Sequence, residues 1–458
     1  MSLDEQTNST VISEYKERTL RSAALAATAR EVFPSGITHD SRYMRPYTIY
    51  VDQGKASRKW DVDGNEYVDY FGGHGALLLG HCHPQVTAAI QDAVVDGTQF
   101  AASTTRELRW GEQVKKMVPS IERVRFTASG TEATHLALRL ARAHTGKSKL
   151  VRFKTYFHGW HDHMTSGYTS HFDGSPTAGV VDAIAESVIL LPPNDLPAVT
   201  ELLASRDDVA AVIIEPTGAS FGRVPIAEGF LEGLRAATEK AGVLLIFDEV
   251  ISGFRCAPGG AQSVYGIRPD LTTLAKILAG GLPGGAVGGR ADIMERLDFF
   301  AAEEKGFEKI QHPGTFNANP VSAAAGLTAL EIIAATNACE NANAYGAELR
   351  DRLNNLFKAV GSPFAAYGTF SSFQIFLNVE KRAIDPTDFD PFSVPYQELK
   401  AAPRELVDRL RMALMIYGVD IGGWPGGLIS AAHNADDMSH TLTAFEKALA
   451  RLENEPGL

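Results

Sequence analysis

The chain has 458 residues, of which 45% are hydrophobic and 21% charged, as in an ordinary globular protein. This length exceeds one small core, so we expect two or three packed units. The formal net charge is −12 and long Lys/Arg runs are missing, which argues against a nucleic-acid or anionic-membrane partner.

The cysteines and the hydropathy of the sequence indicate the cellular compartment in which we expect the protein. Cys82, Cys256 and Cys339 are scattered without pair spacing, so we expect a reducing environment without disulfides. The sequence contains neither a signal-peptide pattern nor an apolar run long enough to span a bilayer. We therefore predict a cytoplasmic protein that does not act at a membrane.

The N-terminal part predicts one helix and two short strands. Residues 12–33 form an amphipathic pattern that ends near Pro34. Residues 48–71 hold two strand-like runs separated by the turn signal at 63–65. Pro84 then stands at the start of the next predicted helix, followed by apolar residues at helical spacing.

The middle of the chain alternates apolar runs with helical patterns. The predicted strands are 124–127, 150–153, 188–191, 209–215, 243–248 and 271–275, with helices such as 131–144 and 228–241 between them. This alternation predicts an α/β fold with a mostly parallel sheet covered on both faces. Ligands of such sheets bind beyond the carboxyl ends of the strands.

The last part mixes helices with short strands, as in an α+β domain. A helix begins at Pro320, and further helices are predicted at 337–358, 403–417 and 435–453. We predict an N-terminal segment, a large domain and a C-terminal small domain with the bounds 1–75, 76–325 and 326–458.

Lys276 is the most informative residue. It ends the apolar run 271–275 and is followed by glycines at 280, 281, 284 and 285. Most lysines after strands are exposed charges, but burial lowers the pKa of an amine and makes it a nucleophile. The glycines let the backbone pass close to a flat ligand.

Two further strand ends carry residues that could bind the same ligand as Lys276. Asp248 follows four apolar residues, where a carboxylate needs a partner: a cap, a salt bridge or a protonated pyridine nitrogen. Val250, two residues on, would face the same way and pack on a ring, or belong to the core. Ser129, Gly130 and Thr131 open a helix after a strand, which is either an ordinary N-cap or a phosphate site. Amine, acid and anion site together predict a pyridoxal phosphate (PLP) enzyme.

A cluster of aromatic residues and histidines occupies 156–163. One interpretation is a metal site, although the spacing matches no standard ligand pattern. The other is that Phe157 stacks on the pyridine ring with His158 beside it, while His161 and His163 support them. We favour the second and predict that no metal is bound.

Three loops supply weaker candidates. Glu215 ends the strand 209–215 and is an ion-pair residue or a contact of the cofactor's phenolic oxygen region. Thr315 lies in a polar loop before a helix and could donate to a phosphate, from its own subunit or another. Arg42 is either solvated or holds a substrate carboxylate with its planar guanidinium.

The ordered motifs resemble those of the class III PLP-dependent aminotransferases. The resemblance rests on Ser-Gly-Thr-Glu-Ala at 129–133, aromatic-His-Gly at 157–159, Ile-Glu-Pro at 214–216, Asp-Glu-Val-x-x-Gly-Phe-Arg at 248–255, Lys276 with its glycines, and Gly-Thr-Phe at 314–316. It implies fold type I, with a seven-stranded sheet and a homodimer that shares its active sites. It also implies Lys276 as the Schiff-base lysine, Asp248 as the pyridinium partner and Thr315 as a donor from the neighbouring subunit.

Within the class, two subfamilies are similar to different segments. Residues 36–42 resemble the loop of glutamate-1-semialdehyde 2,1-aminomutase whose arginine binds the substrate carboxylate, which implies that role for Arg42. That enzyme has Ser-Trp-Gly where this chain has Gly73-His74-Gly75. Residues 70–77, 166–174 and 418–423 are similar to D-phenylglycine aminotransferase instead. His74 and Trp424 are further candidates for the substrate pocket.

These resemblances predict an aminotransferase that moves an amino group between an amino acid, of the D-arylglycine type, and a 2-oxo acid such as 2-oxoglutarate. The first alternative is an intramolecular aminomutase. The second is a PLP-fold binding module without turnover, and the third is a metal hydrolase built on the histidines.

Overall fold

A computed structural model describes residues 9–455, so the outermost residues of the predicted terminal segments, 1–8 and 456–458, lie outside the described residues. The helices, including single turns, are α1 Thr10–Arg18, α2 Leu20–Val32, α3 Gly72–Gly75, α4 Pro84–Asp96, α5 Thr105–Met117, α6 Gly130–Thr145, α7 Asp182–Ala185, α8 Leu196–Ser205, α9 Ala219–Gly222, α10 Phe230–Ala241, α11 Gly260–Tyr265, α12 Ala291–Met294, α13 Phe299–Lys305, α14 Pro320–Ala335, α15 Ala338–Ala359, α16 Tyr396–Lys400, α17 Arg404–Ile416 and α18 Ala435–Leu452. The strands are β1 Val51–Lys55, β2 Arg58–Asp61, β3 Glu66–Asp69, β4 Arg123–Thr127, β5 Lys149–Phe153, β6 Val188–Leu191, β7 Val209–Ile214, β8 Val224–Pro225, β9 Leu244–Asp248, β10 Leu271–Ala275, β11 Gly285–Gly289, β12 Ala365–Tyr367, β13 Ser372–Phe376, β14 Val419–Asp420 and β15 Gly426–Leu428.

The chain divides into two compact units. The large unit spans 84–339, and the small unit joins 1–83 to 340–458. The boundaries predicted near 75 and 325 each come before these divisions.

The large unit is built on a seven-stranded sheet with the order β4-β11-β10-β9-β7-β5-β6. Neighbouring strands from β10 to β6 run parallel, whereas β11 is antiparallel to both of its neighbours. The predicted mostly parallel sheet is therefore confirmed. All residues of β7, β9 and β10 are buried, which explains why those strands read as continuous apolar runs.

Strand β11 is missing from the sequence prediction, which expects the glycines near 280–285 only to let the backbone pass close to a flat ligand. Its sequence, Gly-Ala-Val-Gly-Gly, has little apolar content to indicate a strand. Close packing explains the composition: a Cβ on Gly285 would lie 2.3 Å from the Ser129 carbonyl oxygen, and one on Gly288 would lie 2.8 Å from Ile121. Only glycine lets β4 and β10 flank this strand.

The small unit contains a four-stranded sheet, β1-β2-β3-β14, and a three-stranded antiparallel sheet, β12-β13-β15. The prediction of two strands in 48–71 is wrong, because a tight turn at Ala56 (φ 50°) splits the first run into β1 and β2. The single predicted N-terminal helix is also wrong. The chain breaks at Thr19, where the Asp63 carboxylate accepts the backbone N–H groups of Arg21 and Ser22 at 2.6 and 3.0 Å and so caps α2.

Within residues 9–455, no single helix is both long and apolar enough to cross a membrane, although α14 and α15 taken together meet the length and composition required. None of the three cysteines, all of which lie within the described residues, forms a disulfide.

Candidate active site

Lys276 directly follows β10 and begins a short 3₁₀ turn, Lys276–Ala279. Its φ of 52° lies in the left-handed region, which strains a residue with a side chain. Burial lowers the pKa of its amine, against the opposing influence of the Asp248 and Glu215 charges. The amine at this strand end thus has the lowered pKa that the sequence analysis expects, and the role of Lys276 as the Schiff-base lysine stays a prediction.

Asp248 ends β9, the strand parallel to β10, and is paired in register with Thr273. Its Oδ1 accepts the Thr273 hydroxyl at 3.0 Å and the Val250 N–H at 3.1 Å, and its Oδ2 lies 2.7 Å from His158 Nδ1. The carboxylate is only 4% exposed, so these donors compensate its burial. Strand β9 ends at Asp248, so Val250 is not part of it. The prediction that Val250 faces the same way as Asp248 because side chains alternate along a strand therefore used the wrong reason.

His158 contacts Asp248 Oδ2, whereas Thr273 and Val250 donate to Oδ1. Burial lowers the pKa of its imidazole, so the neutral ring donates its Nδ1–H to the carboxylate. Its Nε2 is buried without a hydrogen-bond partner among the described residues. The backbone at His158 is tied to α6, because the Thr134 hydroxyl donates to its carbonyl oxygen at 2.7 Å.

The N-terminus of α6 faces the same strand ends. Ser129 is the N-cap and accepts the Glu132 N–H at 3.2 Å. A Cβ on Gly130 would lie 3.1 Å from Val250 and 3.3 Å from Ala275, so the helix end packs closely between the ends of β9 and β10. Gly159 (φ 97°) is equally constrained, since its Cβ would lie 2.9 Å from the Thr131 hydroxyl. Free N–H groups at such a helix end form an anion site.

Phe157 and Glu215 form a neighbouring wall. Phe157 is 42% exposed. Its backbone N–H donates to Glu215 Oε1 at 3.3 Å, and the Glu215 carboxylate also accepts the N–H groups of Ser220 and Phe221 at 3.1 and 3.3 Å. Burial and the charge of Asp248 raise the pKa of Glu215 to about 7.

Two other histidines of the 156–163 cluster, His161 and His163, lie beside His135 of α6. The rings of His135 and His161 lie 4.9 Å apart and nearly parallel, and the Arg142 guanidinium donates to His163 at 2.9 Å. Burial lowers the pKa values of His161 and His163 to about 3 and about 4. Across residues 9–455, no group of three or more His, Cys, Asp or Glu side chains is arranged to hold a metal ion.

The substrate candidates Arg42, His74 and Trp424 belong to the small unit. His74 (φ 59°) and Trp424 both contact Phe71, at centroid distances of 4.5 and 5.8 Å. The Ser41 hydroxyl lies 3.3 Å from His74 Nδ1, and the exposed Arg42 donates to Thr38 Oγ1 at 2.8 Å. Thr315, in the large unit, is exposed, and its carbonyl oxygen accepts a hydrogen bond from Gln99.

Comparison with known proteins assigns the family. The profile of the family "Aminotransferase class-III" matches residues 40–389 of the chain. The chain belongs to the class III aminotransferases. The family is PLP-dependent, so its cofactor is pyridoxal 5′-phosphate, and the predicted fold type I is confirmed.

Individual relatives align over almost the whole chain. A glutamate-1-semialdehyde 2,1-aminomutase 2 of Brevibacillus brevis is 39% identical, with 94% of this chain and 98% of that protein covered. An omega-transaminase from Sphaerobacter thermophilus has a TM-score of 0.84 and 33% identity, covering 99% and 100% of the two chains. A structure described as a transaminase with PLP bound has a TM-score of 0.83 and 32% identity, covering 95% and 98%.

The side chains of this class III aminotransferase fit PLP. Gly130 has no Cβ that would press on Val250 and Ala275, so the N-terminus of α6, whose N–H groups can bind a phosphate, lies close to the ends of β9 and β10. The Lys276 amine and the Asp248 carboxylate lie at the ends of two adjacent parallel strands. PLP needs such a pair, because its aldehyde would bind the amine and its pyridine nitrogen the carboxylate. We note two residues that the sequence analysis missed: Thr273, which positions Asp248, and Tyr168, whose ring lies 5.0 Å from that of Phe157. Register between predicted strands could have indicated Thr273.

Proposed function

We propose that the chain transfers an amino group between an amino acid and a 2-oxo acid, with Lys276 as the covalent anchor of the cofactor. The observation that carries the proposal is the desolvated Lys276 amine beside the buried Asp248 on parallel neighbouring strands. PLP supplies an electron sink that stabilises the negative charge left when a substrate Cα–H bond breaks. Once released from the cofactor, the Lys276 amine would move that proton.

Asp248 would keep the pyridine nitrogen protonated. Three donors, from Thr273, Val250 and His158, hold its carboxylate in one orientation. A charged hydrogen bond inside the protein is worth more than one in water, so a fixed carboxylate suits this role. Ser129, Gly130 and Thr131 would receive the phosphate, and Phe157, with His158 and Val250 beside it, would cover the ring.

We further propose a homodimer with shared active sites, to which Thr315 of a neighbouring subunit contributes a phosphate donor. The exposure of Thr315 on its own chain supports this arrangement. Arg42 would hold the substrate carboxylate, with His74 and Trp424 lining the pocket. The exposed guanidinium of Arg42 and the shared packing of His74 and Trp424 on Phe71 support these roles.

The test of the anchor is chemical trapping. Borohydride reduction of the PLP-loaded protein, followed by peptide mass spectrometry, should place the pyridoxyl adduct on Lys276. Lys276→Ala should lose the adduct and at least about 10³-fold of the turnover, as expected when a covalent catalytic group is removed. Lys240→Ala, an exposed lysine of α10, is the control and should keep both. Full turnover by Lys276→Ala would contradict the proposal.

Intramolecular transfer of the aminomutase type is the second candidate. It is favoured by four curated relatives at 36–39% identity, all of which are glutamate-1-semialdehyde 2,1-aminomutases. The intermolecular version draws on residues 70–77, 166–174 and 418–423 and on similarity to an omega-transaminase. The arylglycine donor belongs to this proposal and rests on those three segments.

A single-substrate assay distinguishes the two outcomes. Glutamate-1-semialdehyde alone, in large excess over enzyme, should be consumed continuously by a mutase. D-phenylglycine alone should give a transaminase about one equivalent of 2-oxo acid per site, with turnover only after 2-oxoglutarate is added. Continuous conversion of the semialdehyde without a 2-oxo acid would replace the first proposal by the second.

A further inference from the structure

Tyr168 packs on the aromatic wall of the candidate active site. Its ring centroid lies 5.0 Å from that of Phe157, with the planes inclined by 51°. Its hydroxyl forms a hydrogen bond with the Ser220 side chain. Burial raises the pKa of Tyr168, and the charge of Glu215 acts in the same direction. The phenol therefore stays protonated beside Glu215.

The backbone just before Tyr168 is held at Gly167 by two contacts. The Thr155 N–H, two residues before Phe157, donates to the Gly167 carbonyl oxygen at 2.7 Å. Gly167 has a φ of 78°, and a Cβ there would lie 2.6 Å from Leu190 in β6. Tyr168 thus follows a residue that is pinned between the Phe157 loop and the sheet.

Tyr168 contacts both of the segments whose backbone N–H groups donate to Glu215. One is the loop of Phe157, and the other is the turn of Ser220 and Phe221, both in the left-handed region with φ of 53° and 56°. Glu215 accepts a backbone N–H from all three residues. A side chain that packs on the first segment and bonds to the second controls how both present their N–H groups.

We propose that Tyr168 is a positioning residue that fixes the Phe157 ring for the cofactor and, through Ser220, the hydrogen bonds that Glu215 accepts. The inference rests on the proposed function, in which Phe157 covers the pyridine ring. It assigns to the segment 166–174 a role beyond its similarity to D-phenylglycine aminotransferase.

The pKa of Glu215 provides a second measure of the contacts that Tyr168 makes. The titratable and charged groups that act on it or feel its charge are Asp248, Lys276, Arg152, Tyr156 and Tyr168. The N–H groups of Ser220, Phe157 and Phe221 lower its pKa, against burial and the charge of Asp248. If the Ser220 turn loosens, the pKa of Glu215 should rise.

The first measurement is the PLP dissociation constant of cofactor-free protein. Tyr168→Ala should weaken binding roughly tenfold, because an aromatic pair and its packing are worth about 1.4 kcal/mol. Tyr168→Phe keeps the ring and should change the constant by less than about threefold. Phe172→Ala, an exposed aromatic of the same segment, is the matched control and should leave it unchanged.

The second measurement is the pH profile of that constant, with the inflection due to Glu215 identified by its loss in Glu215→Gln. Tyr168→Phe should move this inflection to higher pH, whereas Phe172→Ala should not. A wild-type affinity in Tyr168→Ala, or an unmoved inflection in Tyr168→Phe, would overturn the assignment of Tyr168. Wild-type protein without borohydride-trapped PLP would instead refute the proposed function, so the two failures are distinguishable.

Discussion

Glu215 makes the protein's stability depend on pH in a direction unusual for a carboxylic acid. Its pKa is raised to about 7, from an ordinary value of 4.5. The folded chain therefore holds this proton more tightly than the unfolded chain does. The resulting stabilisation is complete below pH 4.5 and is lost as pH rises through about 7.

Glu215→Gln should expose this dependence in the cofactor-free protein. Because glutamine does not titrate, the free energy of unfolding of the wild type relative to the variant should fall by about 2.5 kcal/mol between pH 5 and pH 8. Urea unfolding at several pH values measures it. Glu228→Gln, an exposed control, should give a constant difference, and a constant difference for Glu215→Gln would contradict the raised pKa.

Single residues at strand ends were predictable where the chemistry was unusual for its surroundings. A lysine and an aspartate after apolar runs indicated Lys276 and Asp248 because charged groups seldom follow such runs without a partner. The contacts of Asp248 with Thr273 and His158 carry no signal in the sequence next to Asp248. Thr273 and His158 contact Asp248 only because β9 and β10 lie side by side in one register and the 156–163 loop returns to the sheet.

Substitutions at the two ends of helix α6 should have different effects, one on PLP binding and the other on the stability of the fold. Gly130 at the N-terminus lies against Val250 and Ala275, whereas Gly146 at the C-cap has a φ of 70° and open space around its Cβ position. Gly130→Ala should weaken PLP binding by about tenfold or more, since crowding the close contact costs at least about 1.4 kcal/mol. Gly146→Ala should lower the free energy of unfolding by about 1 kcal/mol, because alanine is strained at this φ.

Calorimetric titration with PLP and urea unfolding of both variants check this separation. Equal loss of affinity in Gly130→Ala and Gly146→Ala would show that the N-terminus has no special part in binding.

Periodicity predicted the elements whose burial is uniform and missed those made by packing or capping. The six apolar strands of the large sheet were all found: β5, β7, β9 and β10 are buried almost throughout, and β4 and β6, which are only partly buried, are also apolar runs beside helical patterns. The break at Thr19 was not found, because the carboxylate that caps α2 comes from Asp63 in a distant turn.

At the scale of the whole molecule, Glu455 joins the two ends of the described chain within the small unit. Its carboxylate accepts the backbone N–H groups of Thr10 and Val11 at 2.9 and 3.0 Å and the Thr10 hydroxyl at 2.7 Å, at the start of α1. Burial acts against the charge, but hydrogen bonds from Ser9 and Thr10 prevail and keep the pKa of Glu455 below its ordinary value.

Glu455→Ala should therefore lower the free energy of unfolding by about 2 kcal/mol, the cost of a lost helix cap that leaves buried donors unpaired. The effect should be present above pH 4.5 and shrink as pH falls below that value. Thermal unfolding at pH 7 and pH 4 measures both, with the exposed Glu453→Ala as control. Equal melting temperatures for Glu455→Ala and Glu453→Ala would contradict this role.

Fold class and sheet type followed from the order of helices and strands. The association of 1–83 with 340–458 depends on long-range pairing, such as β3 with β14.

The glycine strand β11 limits how this enzyme can be re-engineered. A methyl group on Gly289 would come within 2.2 Å of the Asp270 carbonyl oxygen, and one on Gly285 would reach the backbone that carries Ser129. Codon libraries meant to broaden donor scope should leave positions 285, 288 and 289 untouched, because almost every amino acid introduced there would wedge the sheet apart before any new substrate could be tried.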